Sequence, residues 1–219
     1  MASLTVENYV KAIYQVCAAQ GAPAGTGQLA EVLGVSPGTV TSMLKTLSES
    51  NLAAYTPYEG VCLTTAGNAL ALRVVRRHRL IELFLVRTLQ LSWDEIHEEA
   101  EHMEHAVSDL LIDRIDALLG YPQEDPHGDP IPKPDGTIDA AVGRPLGDCP
   151  VGQPFRLVRV LDQSPRFLRY LSESGLCLGA QGEVVRHHRE AGVIQLRVGA
   201  LETALGRAVA DKLLVVLAL

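Results

Sequence analysis

Thr26-Gly-Gln-Leu-Ala-Glu-Val-Leu-Gly34-Val-Ser36-Pro37-Gly-Thr-Val-Thr-Ser-Met-Leu-Lys-Thr-Leu47 reads as two short helices joined by a tight turn. Gly34 supplies the turn. Ser36 is placed to cap the second helix, and Pro37 stands at its first position, where a missing N–H costs nothing. Leu29, Ala30, Leu33, Val35, Val40 and Leu44 are the buried-type residues that right-angle packing of such a pair requires. Ser36, Pro37, Thr39, Thr41, Ser42 and Lys45 then fall on the exposed start and face of the second helix. That short, polar set suits hydroxyl contacts to phosphates and apolar readout of thymine methyls, with few bidentate base contacts. The alternative for it is an ordinary polar surface over a small helical core.

The flanks decide between these. Upstream, Val6, Tyr9, Val10, Ile13, Tyr14 and Cys17 recur at helical spacing until the run Gly21-Ala-Pro-Ala-Gly25. Downstream, Leu52 to Thr64 alternates apolar and polar residues around Tyr58-Glu-Gly60, as a small hairpin does. Helix, short helix, turn, helix, hairpin is the order of a winged helix-turn-helix, assigned to residues 1–72, with a double-stranded DNA operator as the expected partner. The net charge of −7 argues against a uniformly basic binder but not against one DNA-contacting face.

Further out, one long helix is predicted from Thr65 to about Leu89 and a second from a Ser92 cap to Leu119, halting at Gly120-Tyr-Pro122. The second carries an apolar face of Ile96, Ala100, Met103, Val107, Leu110, Leu111 and Ile115, which calls for a partner and points to a homodimer. These residues form a helical domain over 73–140. The Pro-, Gly- and Asp-rich stretch from Tyr121 to about Pro154 reads as a linker over the surface, with the domain link at 141–150. Phe155–Leu161, Gly182–Arg186, Val193–Val198 and Lys212–Leu217 are strand-like, and Arg166–Ser174 reads as a short helix. Residues 151–219 are therefore expected to form a small SH3-like (FeoA-like) β-barrel. The fold class is mainly α with a small β domain. Cys17, Cys62, Cys149 and Cys177 form no C-x-x-C pair, and neither a secretory signal nor an apolar run of membrane-spanning length is evident, so a cytoplasmic protein is expected.

One stretch carries the chemistry. Trp93-Asp-Glu-Ile-His97-Glu-Glu-Ala-Glu101-His-Met-Glu104-His105 places His97, Glu101, Glu104 and His105 on one helical stripe, a donor set suited to a divalent cation. A zinc protease needs His-Glu-x-x-His, but Glu101 stands where the second His belongs, and the inverse motif fails at the same position. No P-loop, nucleophile elbow or G-x-G-x-x-G is present. A solvated acidic face, a metallohydrolase of another arrangement, and a winged-helix regulator with a non-metal effector are the competing readings.

Tyr9 to Tyr14, Ser36-Pro-Gly-Thr-Val-Thr, Leu63-Thr-Thr-Ala-Gly67, Arg77-His-Arg-Leu-Ile-Glu82, the His/Glu stretch and Asp125-Pro-His-Gly-Asp-Pro-Ile-Pro132 together resemble the diphtheria toxin repressor family and its manganese transport regulators. The resemblance spans nearly the whole chain. It implies a metal-dependent repressor of metal-uptake genes, not an enzyme, with two metal positions. The primary one would use Asn8, Glu101, Glu104 and His105. The ancillary one would use His78, Glu82 and His97, with Asp125 and His127 from the linker and Asp162 from the barrel. Iron-sensing members carry Cys at the place of Glu101 and Met at that of Asn8, so Glu101 implies a hard site for Mn²⁺, with Fe²⁺ second. Lys11 stands where short manganese sensors carry a bridging Glu, which disfavours a closely spaced metal pair. By the same resemblance, bound metal ties the DNA-binding domain to the dimer core and fixes the spacing of two recognition helices.

Overall fold

The structure, a computed structural model, describes residues 3–217. It consists of two compact units. One holds the residues through His78 together with His102–Ser108 and Pro132–Thr137, and the other holds Arg79–Glu101, Asp109–Ile131 and the residues from Ile138 onward.

The first unit is the winged helix-turn-helix. Helix α1 (Leu4–Gln20) starts where Ser3 Oγ accepts the Val6 N–H and stops at Gly21, whose φ of 65° is one that glycine adopts without strain. Helix α2 (Thr26–Leu33) turns at Gly34 into α3 (Pro37–Glu49), where Ser36 Oγ accepts the Thr39 N–H at 3.1 Å. Strands β1 (Ala53–Thr56) and β2 (Gly60–Leu63) form the antiparallel wing. Tyr9, Val10, Ile13, Leu29, Val40, Leu44, Leu47 and Val61 fill the core. Val35 does not join them: it is 37 % exposed beside the turn, and Leu33 is only half-buried. Leu33 still packs against this core, whereas Val35 faces out at the turn. Helix α4 (Thr65–Leu89) begins against this core at Gly67, where a Cβ would lie 1.8 Å from the Leu52 carbonyl oxygen. Only glycine lets the two backbones meet there.

The expected continuous helix from Ser92 to Leu119 is instead α5 (Ile96–Met103) and α6 (Asp109–Leu118). Between them the N–H groups of Ala106 and Val107 both turn back to the Met103 carbonyl, at 2.9 and 3.2 Å. Val107 is β-branched, and Ser108-Asp109 is a sequence that starts helices better than it continues them. Ser92 is drawn into a local turn as well, its Oγ donating to Glu95 at 2.6 Å, so α5 starts four residues later than its apparent cap. Glu104 and His105 therefore stand in the turn that follows α5.

The stretch from Tyr121 also differs from a surface linker. Its N-terminal part is a tight strap: the Ile131 N–H donates to the Gln123 carbonyl and the Asp125 N–H to that of Asp129. Asp125 and His127 are buried within it. Gly128, with φ of 85°, lies so close to the barrel that a Cβ would sit 2.0 Å from the Val158 carbonyl oxygen.

The link at 141–150 enters the sheet. β3 (Arg144–Pro145) is followed by Leu146 and Cys149, both in the barrel core. The remaining elements are β4 (Pro154–Val160), α7 (Pro165–Glu173), β5 (Gln181–His188), β6 (Val193–Val198), β7 (Leu201–Gly206), α8 (Arg207–Ala210) and β8 (Leu213–Leu217). Six antiparallel strands run in the order β3-β8-β4-β5-β6-β7 around Phe155, Leu157, Leu168, Leu171, Leu196 and Val215. β7 escaped the sequence reading because Leu-Glu-Thr-Ala-Leu-Gly is short of β-branched and aromatic residues. Among the described residues no helix is long and apolar enough to cross a membrane.

Candidate metal centres

Each unit holds one buried cluster of carboxylate and imidazole groups. In the first unit the cluster forms where α1 meets the turn at 104–105. Glu7 and Lys11, four apart, share a face of α1. Lys11 is 4 % exposed, and its ammonium lies 2.7 and 3.0 Å from the two oxygens of the fully buried Glu104. His78 Nδ1 stands 2.6 Å from Glu104 and 3.1 Å from the same ammonium. These three edges cannot all be hydrogen bonds, because Nδ1 either donates to the carboxylate or accepts from the lysine.

His105 completes the group. Its Nδ1 is 2.7 Å from Glu7 Oε2, and since a carboxylate only accepts, Nδ1 carries the proton. That leaves Nε2 buried and without a hydrogen bond, 3.2 Å from Glu104 Oε1. A histidine oriented through one nitrogen by a carboxylate, with the other nitrogen presented, is the usual arrangement around a bound metal. Asn8 Oδ1 is likewise buried without a hydrogen-bond partner. Glu7, which orients His105, was not singled out in the sequence. Its signal was its place on the Lys11 face of α1, visible once that face is known to be covered.

In the second unit Glu82 of α4 and Asp125 and His127 of the strap offer ligand atoms within 4.8 Å of one another, all three residues buried. His127 is pinned on two sides. Its ring stacks on Trp93 with centroids 6.1 Å apart, and its Nε2 lies 3.0 Å from the Trp93 carbonyl oxygen. A carbonyl only accepts, so Nε2 bears hydrogen, and Nδ1 is left buried with no hydrogen bond, 3.8 Å from Glu82 Oε2. Glu82 Oε2 is likewise buried without a hydrogen bond, and a cation between the two atoms would satisfy both. Burial also pushes the Asp125 carboxyl up to about 8, Asp129 and Glu82 add to this, and Arg79 at 3.5 Å opposes it.

The other expected ligands are placed as follows. His97 and Glu101 belong to the second unit, where they lie 3.7 Å apart one turn from each other, and His97 Nδ1 is 3.4 Å from Glu82. His78 belongs to the first unit, with Glu104. Asp162 lies just past β4, whose last residue Val160 donates its N–H to the His127 carbonyl. Its carboxylate is held by Lys212 at 2.7 Å. Burial alone would raise its pKa, but the bonds from Lys212 and Ser164 outweigh that and hold it below the usual value.

On α3, Ser36, Pro37, Thr39, Ser42 and Lys45 are exposed, whereas Thr41 is half-buried and spends its hydroxyl on the Pro37 carbonyl at 2.9 Å. The Ser36 and Thr39 hydroxyls meet at 2.8 Å. They form a local pair at the start of the helix.

Comparison with known proteins bears on both clusters. The family described as "Iron dependent repressor, N-terminal DNA binding domain" matches residues 1–61, "Iron dependent repressor, metal binding and dimerisation domain" matches 64–133, and "FeoA domain" matches 144–217. The chain is 30 % identical to the iron-dependent repressor IdeR of Mycobacterium tuberculosis over 214 residues, covering 92 % of this chain and 85 % of the relative. It is 35 % identical to the transcriptional regulator MntR of Bacillus subtilis over 125 residues, which are 57 % of this chain and 87 % of that protein. A solved manganese-dependent transcriptional repressor in complex with manganese superposes with a TM-score of 0.87 at 40 % identity, covering 97 % of this chain and all of the other (100 %). The structure of ScaR with bound Zn²⁺ gives 0.78 at 33 % identity, over 96 % and 98 % of the two chains.

Proposed function

Because the chain belongs to the diphtheria toxin repressor and manganese transport regulator family, we propose that it is a manganese-responsive repressor of metal-uptake genes, with Fe²⁺ as the second candidate effector. It is a transcriptional regulator and not an enzyme. The observation that carries the metal-responsive reading is the Nδ1 of His127, buried and unbonded beside Glu82 and Asp125. The donor set of this cluster is oxygen and imidazole nitrogen with no thiolate, the kind that suits Mn²⁺ and Fe²⁺.

A bound divalent ion would supply the positive charge that this cluster lacks. His127 offers Nδ1 while Nε2 stays on the Trp93 carbonyl, and Glu82 offers the oxygen that now faces that nitrogen. Asp125 would give up its proton, and Asp162, now paired with Lys212, is the further donor that the resemblance implies. In the first unit Glu104 and His105 would form a second donor set, with Asn8 of α1 as a further ligand that the resemblance implies. Metal held there by Asn8 of α1 would secure the turn at 104–105 against the same body that carries α3. The exposed leucines of α6, Leu110, Leu111 and Leu118, are the apolar face offered to a second copy. The paired α3 helices of a homodimer would then enter successive major grooves, roughly 34 Å apart. A metal–DNA coupling of about 1–3 kcal/mol raises operator affinity by roughly 5- to 150-fold.

A gel-shift titration tests this. Chelated protein is titrated against double-stranded DNA from upstream of its own gene, alone and with Mn²⁺, Fe²⁺ or Zn²⁺. Mn²⁺ and Fe²⁺ are expected to raise the affinity. If no metal does, the effector is not a metal.

A further inference from the structure

We propose that Lys11 is a resident counter-cation of the first cluster, which a divalent ion must displace from Glu104, so that Lys11 sets how much metal this cluster requires. The inference rests on the metal-responsive reading above and deepens it.

A lysine is almost never buried unless paired, and a fully buried carboxylate is equally dependent on a cation. Lys11 and Glu104 satisfy both needs at once, with the ammonium spanning both carboxylate oxygens at 2.7 and 3.0 Å. The positive charge that a metal would bring is thus already present, attached to α1.

The substitution is incomplete, and that makes it reversible. The ammonium answers the charge of Glu104 but not the coordination of its neighbours. His105 Nε2, 3.2 Å from Glu104, stays buried without a hydrogen bond, and so does Asn8 Oδ1 on α1 beside Glu7. His78 Nδ1 is pressed into a triangle with Lys11 and Glu104, one edge of which has no hydrogen bond to make. A divalent ion accepts more lone pairs than an ammonium has protons, so it can use donors that Lys11 leaves idle. Its cost is the loss of the Lys11–Glu104 ion pair, whose carboxylate is fully buried. Lysine suits the role of a displaceable occupant, being a point charge on a flexible four-carbon stem.

The test uses full-length chelated protein carrying His127→Ala, which silences the second cluster, titrated calorimetrically with Mn²⁺ alone. Relative to this parent, Lys11→Met is expected to tighten Mn²⁺ binding by at least about tenfold, because the metal no longer competes with a buried ion pair. Lys11→Gln is expected to act in the same direction, and Lys11→Arg to leave binding as weak as in the parent. Thermal melts give an independent reading: chelated Lys11→Met melts below the parent and gains more on Mn²⁺ addition. If Lys11→Met does not fold, Lys11→Gln decides. Mn²⁺ binding unchanged or weaker in the Met and Gln variants overturns the proposal. So does equal tightening in Lys11→Arg, or no binding by any of them. Failure of the metal-responsive reading is seen separately, as unmodified protein whose operator affinity no metal raises.

Discussion

Glu104 and Glu82 are both buried carboxylates beside an imidazole, yet Glu104 holds the Lys11 ammonium at 2.7 Å whereas Glu82 lies beside two imidazoles, His97 at 3.4 Å and His127 at 3.8 Å. In the first cluster the compensating charge is covalently part of the chain. In the second, Arg79 reaches Asp125 and Asp129, while burial and the charges of Asp129 and Glu82 raise the Asp125 carboxyl. The difference shows how one fold can carry two carboxylate sites of unequal readiness. A cluster that is neutralised internally is stable without metal and slow to need it. A cluster that drives one of its carboxyls toward the protonated form is one that a divalent ion would relieve.

The strongest way to break this contrast is to remove each glutamate in turn. Glu104→Ala strips a buried ammonium of its partner, and the chelated protein is expected to lose about 3–5 kcal/mol, measured by urea denaturation. Glu82→Gln removes a charge that bears on the Asp125 carboxyl, so the chelated protein should lose less than in Glu104→Ala, while stabilisation by Mn²⁺ disappears. Equal losses in the two variants would mean that the clusters are electrostatically alike.

Next in size is the strap. Gly128→Ala places a methyl 2.0 Å from the Val158 carbonyl at a φ of 85°. The strain and the clash should together cost about 2–3 kcal/mol. Because Asp125 and His127 lie in the same strap, Mn²⁺-dependent stabilisation should fall as well, whereas Lys11→Gln should leave the Glu82 cluster untouched. Mn²⁺ binding at full strength in Gly128→Ala would show that the strap does not position those ligands.

The two clusters were also unequally legible in the sequence. The winged helix was readable because its cap, turn glycine and apolar periodicity all act locally, and Ser36, Gly34 and Leu44 behave as such residues do. The His/Glu stretch announced a metal, but regular helical spacing overstated its unity. The break after Met103 moves Glu104 and His105 into a turn, and their partners Glu7 and Lys11 lie some ninety residues away, where periodicity carries no information. The strap was read as linker because prolines and glycines signal irregular backbone, not exposure. What buries Asp125 and His127 is contact with Trp93 and β4, which no local pattern encodes. β7 was missed for the related reason that its pairing with β6, not its composition, makes it a strand.

A smaller effect separates the clusters by pH. Asp125 is held near 8 in the folded protein, above its ordinary value of 3.8, so the chelated native state keeps a proton that the unfolded chain gives up. Its contribution to stability is therefore present at low pH and is lost as pH rises toward 8, with a slope of at most about 1.4 kcal/mol per unit. Metal binding must expel the same proton, so Mn²⁺ affinity should rise with pH up to about 8 and then level off. Calorimetry in buffers of different ionisation enthalpy counts the proton, and Asp125→Asn should abolish its release. A proton count near zero at pH 7 in the unmodified protein would remove Asp125 from the ligand set.

The smallest expected effect sharpens the comparison most directly, because it concerns a second lysine on a second candidate ligand. Lys212 binds Asp162 at 2.7 Å, the same distance as Lys11 to Glu104, but both partners are partly exposed. An exposed pair contributes about 0–1 kcal/mol, so Lys212→Met should barely move the melting temperature. If a lysine guards its carboxylate only when water is excluded, Lys212→Met should also change Mn²⁺ affinity by less than about threefold, since Asp162 already exchanges Lys212 for solvent at little cost. A change as large as that expected for Lys11→Met would mean that pairing alone, and not burial, holds metal off these carboxylates.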